Sequence, residues 1–483
     1  MKLAHFFWSG VRNWGTRLGS VVLFLIVARI LSGHELGLFS AAIAILAIAE
    51  LFADNGIGDA VVQARKLNPG ALSAAFLVNL GAGIILGILL FVFAERLEIW
   101  FGADGLAPLL RVLSLALILN AASYIAQSIF RREMAFRWLA VRALIATFIS
   151  GAIGVTMALM GYGAWSLVAQ AIILATINCA LIWWRAPFNP LVRPDFGAAK
   201  GLLRFGLSLL TGRVLYYIGT RAIELVLLYR HSATILSYYV IGSRLYFVLA
   251  QMIMAVLIDV SFATLSRIAD DRVALQNAFL PMIRTASIVA VPIFLGLAAV
   301  APEACVVAFG DKGEEAAVYL QIVALFGALQ VTQHFLSSML GVVGRPGVAT
   351  AILAVRAALV ALVVLPGWAL DPVQLVLLST ATLLITLPCD FYACRRVASL
   401  GTMAILKAIA PAYLAGGAML LAVLAARWAL AGQVPDVFLR LAVLAGIGAL
   451  TYAVLLLLFA PKLVRSQIQA IRARIRGKAR AAG

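Results

Sequence analysis

The sequence is short of charge. Only 12% of its 483 residues are Asp, Glu, Lys or Arg, where a soluble globular chain carries about a quarter. With 64% hydrophobic residues and a mean hydropathy of +1.05, this excludes a water-soluble fold. Alternating strand patterns are missing, which excludes a β-barrel. The four cysteines (Cys179, Cys305, Cys389 and Cys394) have no metal-ligand spacing and lie in or near apolar runs, so they read as small core residues. The four histidines (His5, His34, His231, His334) are scattered, and there is no HExxH. No GxxxxGK[ST] occurs either, which excludes P-loop nucleotide binding. No polar stretch between apolar runs exceeds about twenty residues, so catalysis by a folded extramembrane domain is excluded. Nothing in the pattern implies a cofactor or a metal. The N-terminus is interrupted by Arg12 and Arg17 and lacks a cleavage site, unlike a signal peptide.

What is abundant is long apolar runs. Fourteen reach the ~20 residues that a bilayer-spanning helix needs: 10–31, 37–54, 71–94, 107–129, 139–160, 163–184, 203–228, 233–257, 280–301, 318–340, 348–369, 374–393, 407–428 and 438–460. The expectation is an all-α polytopic membrane protein. Its parts are an N-lobe over 1–200, a C-lobe over 201–400, two further spans over 401–460 and a basic tail over 461–483. An even span count puts both termini on one side. Arg65, Lys66, Arg131, Arg132, Arg137, Arg185, Arg193, Lys200, Arg267, Arg272, Arg345, Arg395 and Arg396 fall in one set of loops. The acids Glu95, Glu98, Asp104, Glu303, Asp311, Glu314 and Glu315 gather in the other set. This bias explains most of the net charge of +18 and places both termini in the cytoplasm.

Residues 28–69 organise the chain. Two spans meet in a short polar turn, Ser32 to Glu35, and the second ends in Asp54-Asn55-Gly56-Ile57-Gly58-Asp59. A similar hairpin recurs from Gly212, with an early Arg, a second Arg, a short polar turn and a small or aromatic cluster opening the return helix. Both hairpins start on the cytoplasmic side, so the repeat is parallel, about an axis along the membrane normal.

Several charges lie deep in the spans. Arg17, Arg213, Arg244 and Arg356 sit on the order of 10–15 Å inside their helices at 1.5 Å per residue. An ionised side chain there costs roughly 2.5–3.5 kcal/mol on insertion scales, which favours an interior cavity or an acidic partner over lipid. Arginine keeps its proton, and its planar fork matches phosphate oxygens. An interior arginine cluster therefore implies an anionic cargo or an ion-pair network. Arg213, Tyr217, Arg221 and Glu224 share one helix face. That face reads either as a cavity wall, with Tyr217 and Tyr216 offered to sugars, or as a self-neutralised Arg221–Glu224 pair. Ser237, Arg244 and Gln251 share a face of the next span. Glu50, Asp54, Glu224 and Asp259 are candidates for proton or cation coupling, although Asp54 and Asp259 lie at helix ends where solvated caps are common.

Gly83 and Gly87 form a GxxxG, read as helix packing. Pro281, Pro292, Pro366 and Pro388 fall within or beside spans. In the tail from Lys462, Val464, Ile468, Ile471 and Ile475 recur at helical spacing among arginines, which is the pattern of an amphipathic helix on anionic inner-leaflet lipids rather than of a nucleic-acid binder.

The runs Ala28-Arg29-Ile30-Leu31, Glu35-Leu36-Gly37-Leu38-Phe39 and Asp54 to Gln63 resemble those of Wzx-type polysaccharide flippases of the multidrug/oligosaccharidyl-lipid/polysaccharide superfamily. Gly161-Tyr162-Gly163-Ala164-Trp165-Ser166-Leu167-Val168 is similar to that family's G-x-G-x-W-x-L-V turn. Tyr238 to Leu245 is similar to its Y-x-x-A-x-R-L segment, with Gly242 where alanine is usual. The resemblance covers roughly residues 1–345, and its nearest flavour is the exopolysaccharide branch that exports succinoglycan- or xanthan-like units. It implies two six-helix lobes around a cavity lined by spans one, two, seven and eight. It also implies alternating access for an undecaprenyl-pyrophosphate-linked oligosaccharide in the bacterial inner membrane, with Arg17, Arg213 and Arg244 as pyrophosphate contacts. Arg29, Arg221 and Arg356 complete the candidate set of cavity cations. The implied partners are that glycan-lipid and the polymerase or chain-length proteins of the same export system, with a monomer as the default state.

Two rival readings remain. A cation-coupled drug antiporter of the same superfamily would show an acid-dominated cavity, whereas the deep charges here are mostly arginine. A membrane-bound polymerase or ligase would present its chemistry on sizeable periplasmic loops, and the longest here, about 302–317, is short and acidic.

Overall fold

A computed structural model describes residues 19–64, 67–185, 188–190, 192–266, 268, 271–365, 369–430 and 433–459. Within the helices, the side chains of 208, 209, 220, 255–264 and 266 are outside that description. So are Arg17, Arg65, Lys66, Arg267, Pro366, the tail from 460, and the side chain of Asp259.

The described residues are helical and contain no strand. The helices are α1 (Gly19–Ile30), α2 (Gly33–Asp54), α3 (Ile57–Gln63), α4 (Pro69–Phe101), α5 (Leu106–Arg132), α6 (Phe136–Leu159), α7 (Ala164–Trp184) and α8 (Phe196–Arg230). They continue as α9 (Ala233–Ser266), α10 (Arg272–Ala299), α11 (Ala301–Phe309), α12 (Lys312–Val342), α13 (Pro346–Val364), α14 (Pro372–Val397), α15 (Thr402–Ala429) and α16 (Val437–Phe459). Among the described residues twelve are long and apolar enough to cross a membrane. The expected first span is represented by the 12 described residues of α1, which are apolar but short. The expected seventh lies within the 35 residues of α8, which has the length but carries Arg204, Arg213, Arg221 and Glu224. Two short helices were not foreseen: α3, directly after the Asn55-Gly56 turn, and α11, inside the acidic loop.

Local sequence sets the helix ends. Ser32 and Glu35 form a reciprocal capping box at the start of α2, and Asn68 caps α4 ahead of Pro69. Asp195 and Asp271 cap α8 and α10 through their carboxylates. At the far end of α2 the chain reverses through Asn55 (φ 49°) and Gly56 (φ 67°), both left-handed. Asn and Gly are the residues that tolerate that region.

The chain forms two compact units. One comprises Met1–Ile241 with Leu353–Leu375, the other Gly242–Ile352 with Val376–Gly483. The boundary thus falls inside α9, with a second crossing through α13 and α14. In the first unit Gly83 and Gly87 let α4 press on Ala121 and Ile118 of α5, and buried Asn79 donates to the Ala121 carbonyl at 2.9 Å. In the second unit α10 packs against α12 and α15, and Phe279, Phe294 and Phe335 are fully buried. Cys305 is also fully buried, and burial pushes its thiol up to about 12, so it behaves as a small core residue.

Candidate functional site

In the first unit, the segment from Asp54 to Asp59 is where four helices converge. Glycine permits this: a β-carbon on Gly58 would meet Ser128 Oγ of α5 at 2.6 Å, and one on Gly206 of α8 would meet the Asn55 carbonyl at 2.7 Å. Side chains then close the junction. Arg213 of α8 reaches Asp54 Oδ2 with one terminal nitrogen and Asp59 Oδ2 with the other. Arg131 of α5 donates to Asp59 Oδ1 at 3.2 Å and to Ser128 at 3.1 Å. The next residue, Arg132, donates to the carbonyls of Val61 and Ala64 at the end of α3, where unpaired carbonyls favour a cation. Two arginines and two aspartates therefore neutralise one another. Asp54 is the buried member, its side chain 7% exposed.

Further along the same pair of helices lies a ladder of polar contacts. Asn120 of α5 donates to Glu50 at 2.7 Å, one turn before Asp54 on α2. The Tyr217 hydroxyl on α8 donates to the Ala44 carbonyl of α2 at 2.8 Å. One turn on, Arg221 pairs with Glu224, leaving the carboxylate buried and the guanidinium 44% exposed. A β-carbon on Gly219, between Tyr217 and Arg221, would lie 3.9 Å from Ala357 of α13, the neighbour in sequence of Arg356.

The structure thus gathers Glu50, Asp54, Arg213, Tyr217, Arg221 and Glu224 along α2 and α8 of one unit, with Arg356 on the adjoining α13. Arg213 and Glu224 are held by protein partners, and Tyr217 holds a backbone carbonyl. Arg29 is exposed near the end of α1, and Arg356 is half-buried. Arg244 is half-buried on the part of α9 that belongs to the second unit. Arg17 and the Asp259 side chain fall outside the described residues.

Sequence reasoning missed three participants. Asp59 was visible only as part of a motif, although its spacing from Asp54 crosses the turn that brings the two together. Asn120 carries no charge and gave no signal. In the second unit Asp390 is completely buried and accepts from Gln333 at 2.9 Å and Ser337 at 2.9 Å. Thr386 joins the same cluster. The signal was Thr382, Thr386 and Asp390 at four-residue intervals on one face of α14.

Two of the quoted sequence motifs also meet in space. A β-carbon on Gly163 (φ 55°), in the turn before α7, would overlap the Glu35 carboxylate of the α2 capping box. A family profile described as "Polysaccharide biosynthesis protein" matches residues 26–318, a stretch that contains both motifs and the whole junction. The chain belongs to that family.

Within this polysaccharide biosynthesis family, the chain is 27% identical over 336 residues to the succinoglycan biosynthesis transport protein ExoT of Rhizobium meliloti (strain 1021), covering 69% of this chain and 68% of that one. It is 23% identical over 326 residues to the lipopolysaccharide biosynthesis protein WzxC of Escherichia coli (strain K12), covering 66% and 65%. The chain thus spans about two thirds of the length of these relatives. Its fold is similar to that of the lipid II flippase MurJ, solved in an inward closed conformation, at a TM-score of 0.77, 15% identity, and coverage of 94% of this chain and 99% of that one. An inward-facing multidrug resistance MATE family transporter of the MOP superfamily follows at 0.58 and 16% identity, covering 81% and 98%. At such identities these two establish the fold alone.

Proposed function

We propose that this chain is a flippase that moves an undecaprenyl-pyrophosphate-linked oligosaccharide across the bacterial inner membrane, by alternating access, for exopolysaccharide or lipopolysaccharide biosynthesis. It is a carrier and not an enzyme. The family match across 26–318 carries this reading, because that stretch contains every charged rung on α2 and α8. Relatives named for succinoglycan transport, lipopolysaccharide biosynthesis and teichuronic acid biosynthesis support a polysaccharide precursor as the cargo class. The half-exposed Arg221, with Arg29 and Arg356 of the same unit, supplies cations for a pyrophosphate. Glu50, Asp54 and Glu224 stand as candidates for coupling to protons or cations. The arrangement follows as six plus six plus two helices, acting as a monomer, with both termini in the cytoplasm by the arginine bias of the loops.

The antiporter reading draws on the MATE likeness, which covers less of the chain at a lower TM-score. One experiment separates the two: outer-leaflet accessibility of glycan-lipid in spheroplasts, with and without depletion of the protein. Depletion traps the glycan-lipid on the inner face if the protein flips it. Unchanged accessibility would falsify the proposal. Arg221→Gln at normal protein level then tests the cationic rung, with trapping expected.

A further inference from the structure

A charged cavity in the second unit joins residues at the end of the stretch that the family profile matches to two arginines beyond it. Glu303, near the start of α11, is 2% exposed. Its Oε1 is ion-paired with Nε of Arg427, in the last turn of α15, at 3.2 Å, and with Nε of Arg440, in the first turn of α16, at 3.4 Å. Its Oε2 is buried and has no hydrogen-bond partner. These three residues, with Glu314 and Gln321 of α12, line a cavity of about 620 Å³, within the roughly 300–1,000 Å³ of small-molecule sites.

Both arginines spend only their Nε on Glu303. Their terminal nitrogens have no ion-pair partner among the described residues, and their side chains are 33% and 28% exposed. Two such forks side by side suit the oxygens of one phosphate. The lining holds two cations and two carboxylates and so sums to zero. A purely anionic guest would leave Glu314 facing it as a like charge. A guest with its own cation would place that cation on Glu314 and the orphaned Glu303 oxygen. The residues beside the arginines in sequence, Trp428, Phe438 and Leu439, are 84%, 64% and 56% exposed, as aromatic and apolar residues are where a helix meets the membrane interface.

We infer that this cavity binds a phosphate ester carrying a tethered ammonium, namely the headgroup of phosphatidylethanolamine in the leaflet at that end of α15 and α16. By the loop-charge argument that leaflet is the outer one. The site itself depends on neither that orientation nor the cargo.

The test uses the full chain, purified in detergent, stripped of lipid and examined by native mass spectrometry. Short-chain phosphatidylethanolamine, phosphatidylglycerol and phosphatidylcholine are each titrated, as are free phosphoethanolamine and inorganic phosphate. Phosphatidylethanolamine is expected to bind about tenfold more tightly than phosphatidylglycerol, the scale of one charge-assisted contact. R427Q/R440Q is expected to weaken it by at least about tenfold. Because that variant disturbs the Glu303 network, E314Q provides the second arm. Exposed Glu314 has no partner in the network, and its loss should abolish the preference for ethanolamine over glycerol while phospholipid still binds. Equal binding of all three lipids, unchanged by E314Q, would overturn the proposal and leave a structural ion-pair network. Binding of free phosphoethanolamine as tight as that of the lipid would overturn the assignment to a membrane lipid.

Discussion

Arg213 on α8 is ion-paired to Asp54, the last residue of α2, and Asp54 is buried while Arg213 remains about a third exposed. The pair ties two helices that are 159 positions apart in sequence, and the second fork nitrogen extends the tie to α3 through Asp59. Breaking a buried ion pair from one side is costly because the other charge is stranded. Arg213→Ala is therefore expected to destabilise the protein by about 2–4 kcal/mol, below the full buried-pair cost because solvent reaches the guanidinium. Combining it with Asp54→Asn removes the stranded charge and should recover part of that loss. Thermal unfolding of the purified variants in detergent measures both. A double variant no more stable than Arg213→Ala would show that the two residues are not coupled.

Tyr217 separates two roles that the sequence left open. Its hydroxyl donates to the Ala44 carbonyl, and a net hydrogen bond of this kind contributes about 0.5–1.5 kcal/mol. Tyr217→Phe should lose stability on that scale and leave glycan-lipid flipping intact per folded molecule. A full-stability variant with impaired flipping would instead place the hydroxyl on the sugar.

The residues that the sequence exposed most clearly are those whose chemistry conflicts with lipid. Arg213, Arg221, Glu224, Glu50 and Asp54 were legible because a charge inside an apolar run needs an explanation. The structure brings all five onto α2 and α8. The Arg221–Glu224 pair was legible from its spacing, and the partners of Arg213 and Glu50 were not. Which acid meets Arg213 depends on the Asn55-Gly56 reversal, which swings Asp59 back beside Asp54, and on Gly206, which lets α8 approach that turn. Helices α3 and α11 were invisible because, at seven and nine residues, they are too short to show a hydrophobic period. The apolar spans announced themselves by length. The most charged of the fourteen expected positions, α8, is where length and composition disagree.

Asp390 offers a test in the other unit. It accepts from Gln333 and Ser337 and has no exposure. Asp390→Leu would leave two donors without that acceptor, each costing about 1–3 kcal/mol when buried. Asp390→Asn retains one carbonyl acceptor and should lose less than half as much. Adding Gln333→Leu to Asp390→Leu should restore part of the loss by removing a donor that has lost one of its acceptors. Circular dichroism melts of the four proteins give the comparison. Equal stability of the Leu and Asn variants would show that the cluster does not depend on this acceptor.

The close approach of α2 and α9 depends on a single missing β-carbon. One added at Gly37 would overlap the Ala233 carbonyl at the start of α9, while Gly33, one turn earlier, faces Ser237 and Thr234 at 3.4 Å. Backbone cannot yield as the end of a side chain can, so Gly37→Ala must part the two helices. Overpacking of this sort costs about 1–3 kcal/mol. Gly81 on α4 has nothing within 4 Å of the same probe position, and Gly81→Ala should be neutral or stabilising by up to about 1 kcal/mol from helix propensity. The two substitutions are chemically identical and both lie within helices, so a difference in unfolding temperature isolates the contact with Ala233. If Gly37→Ala melts with Gly81→Ala, the helices have room to separate and the contact does not hold them.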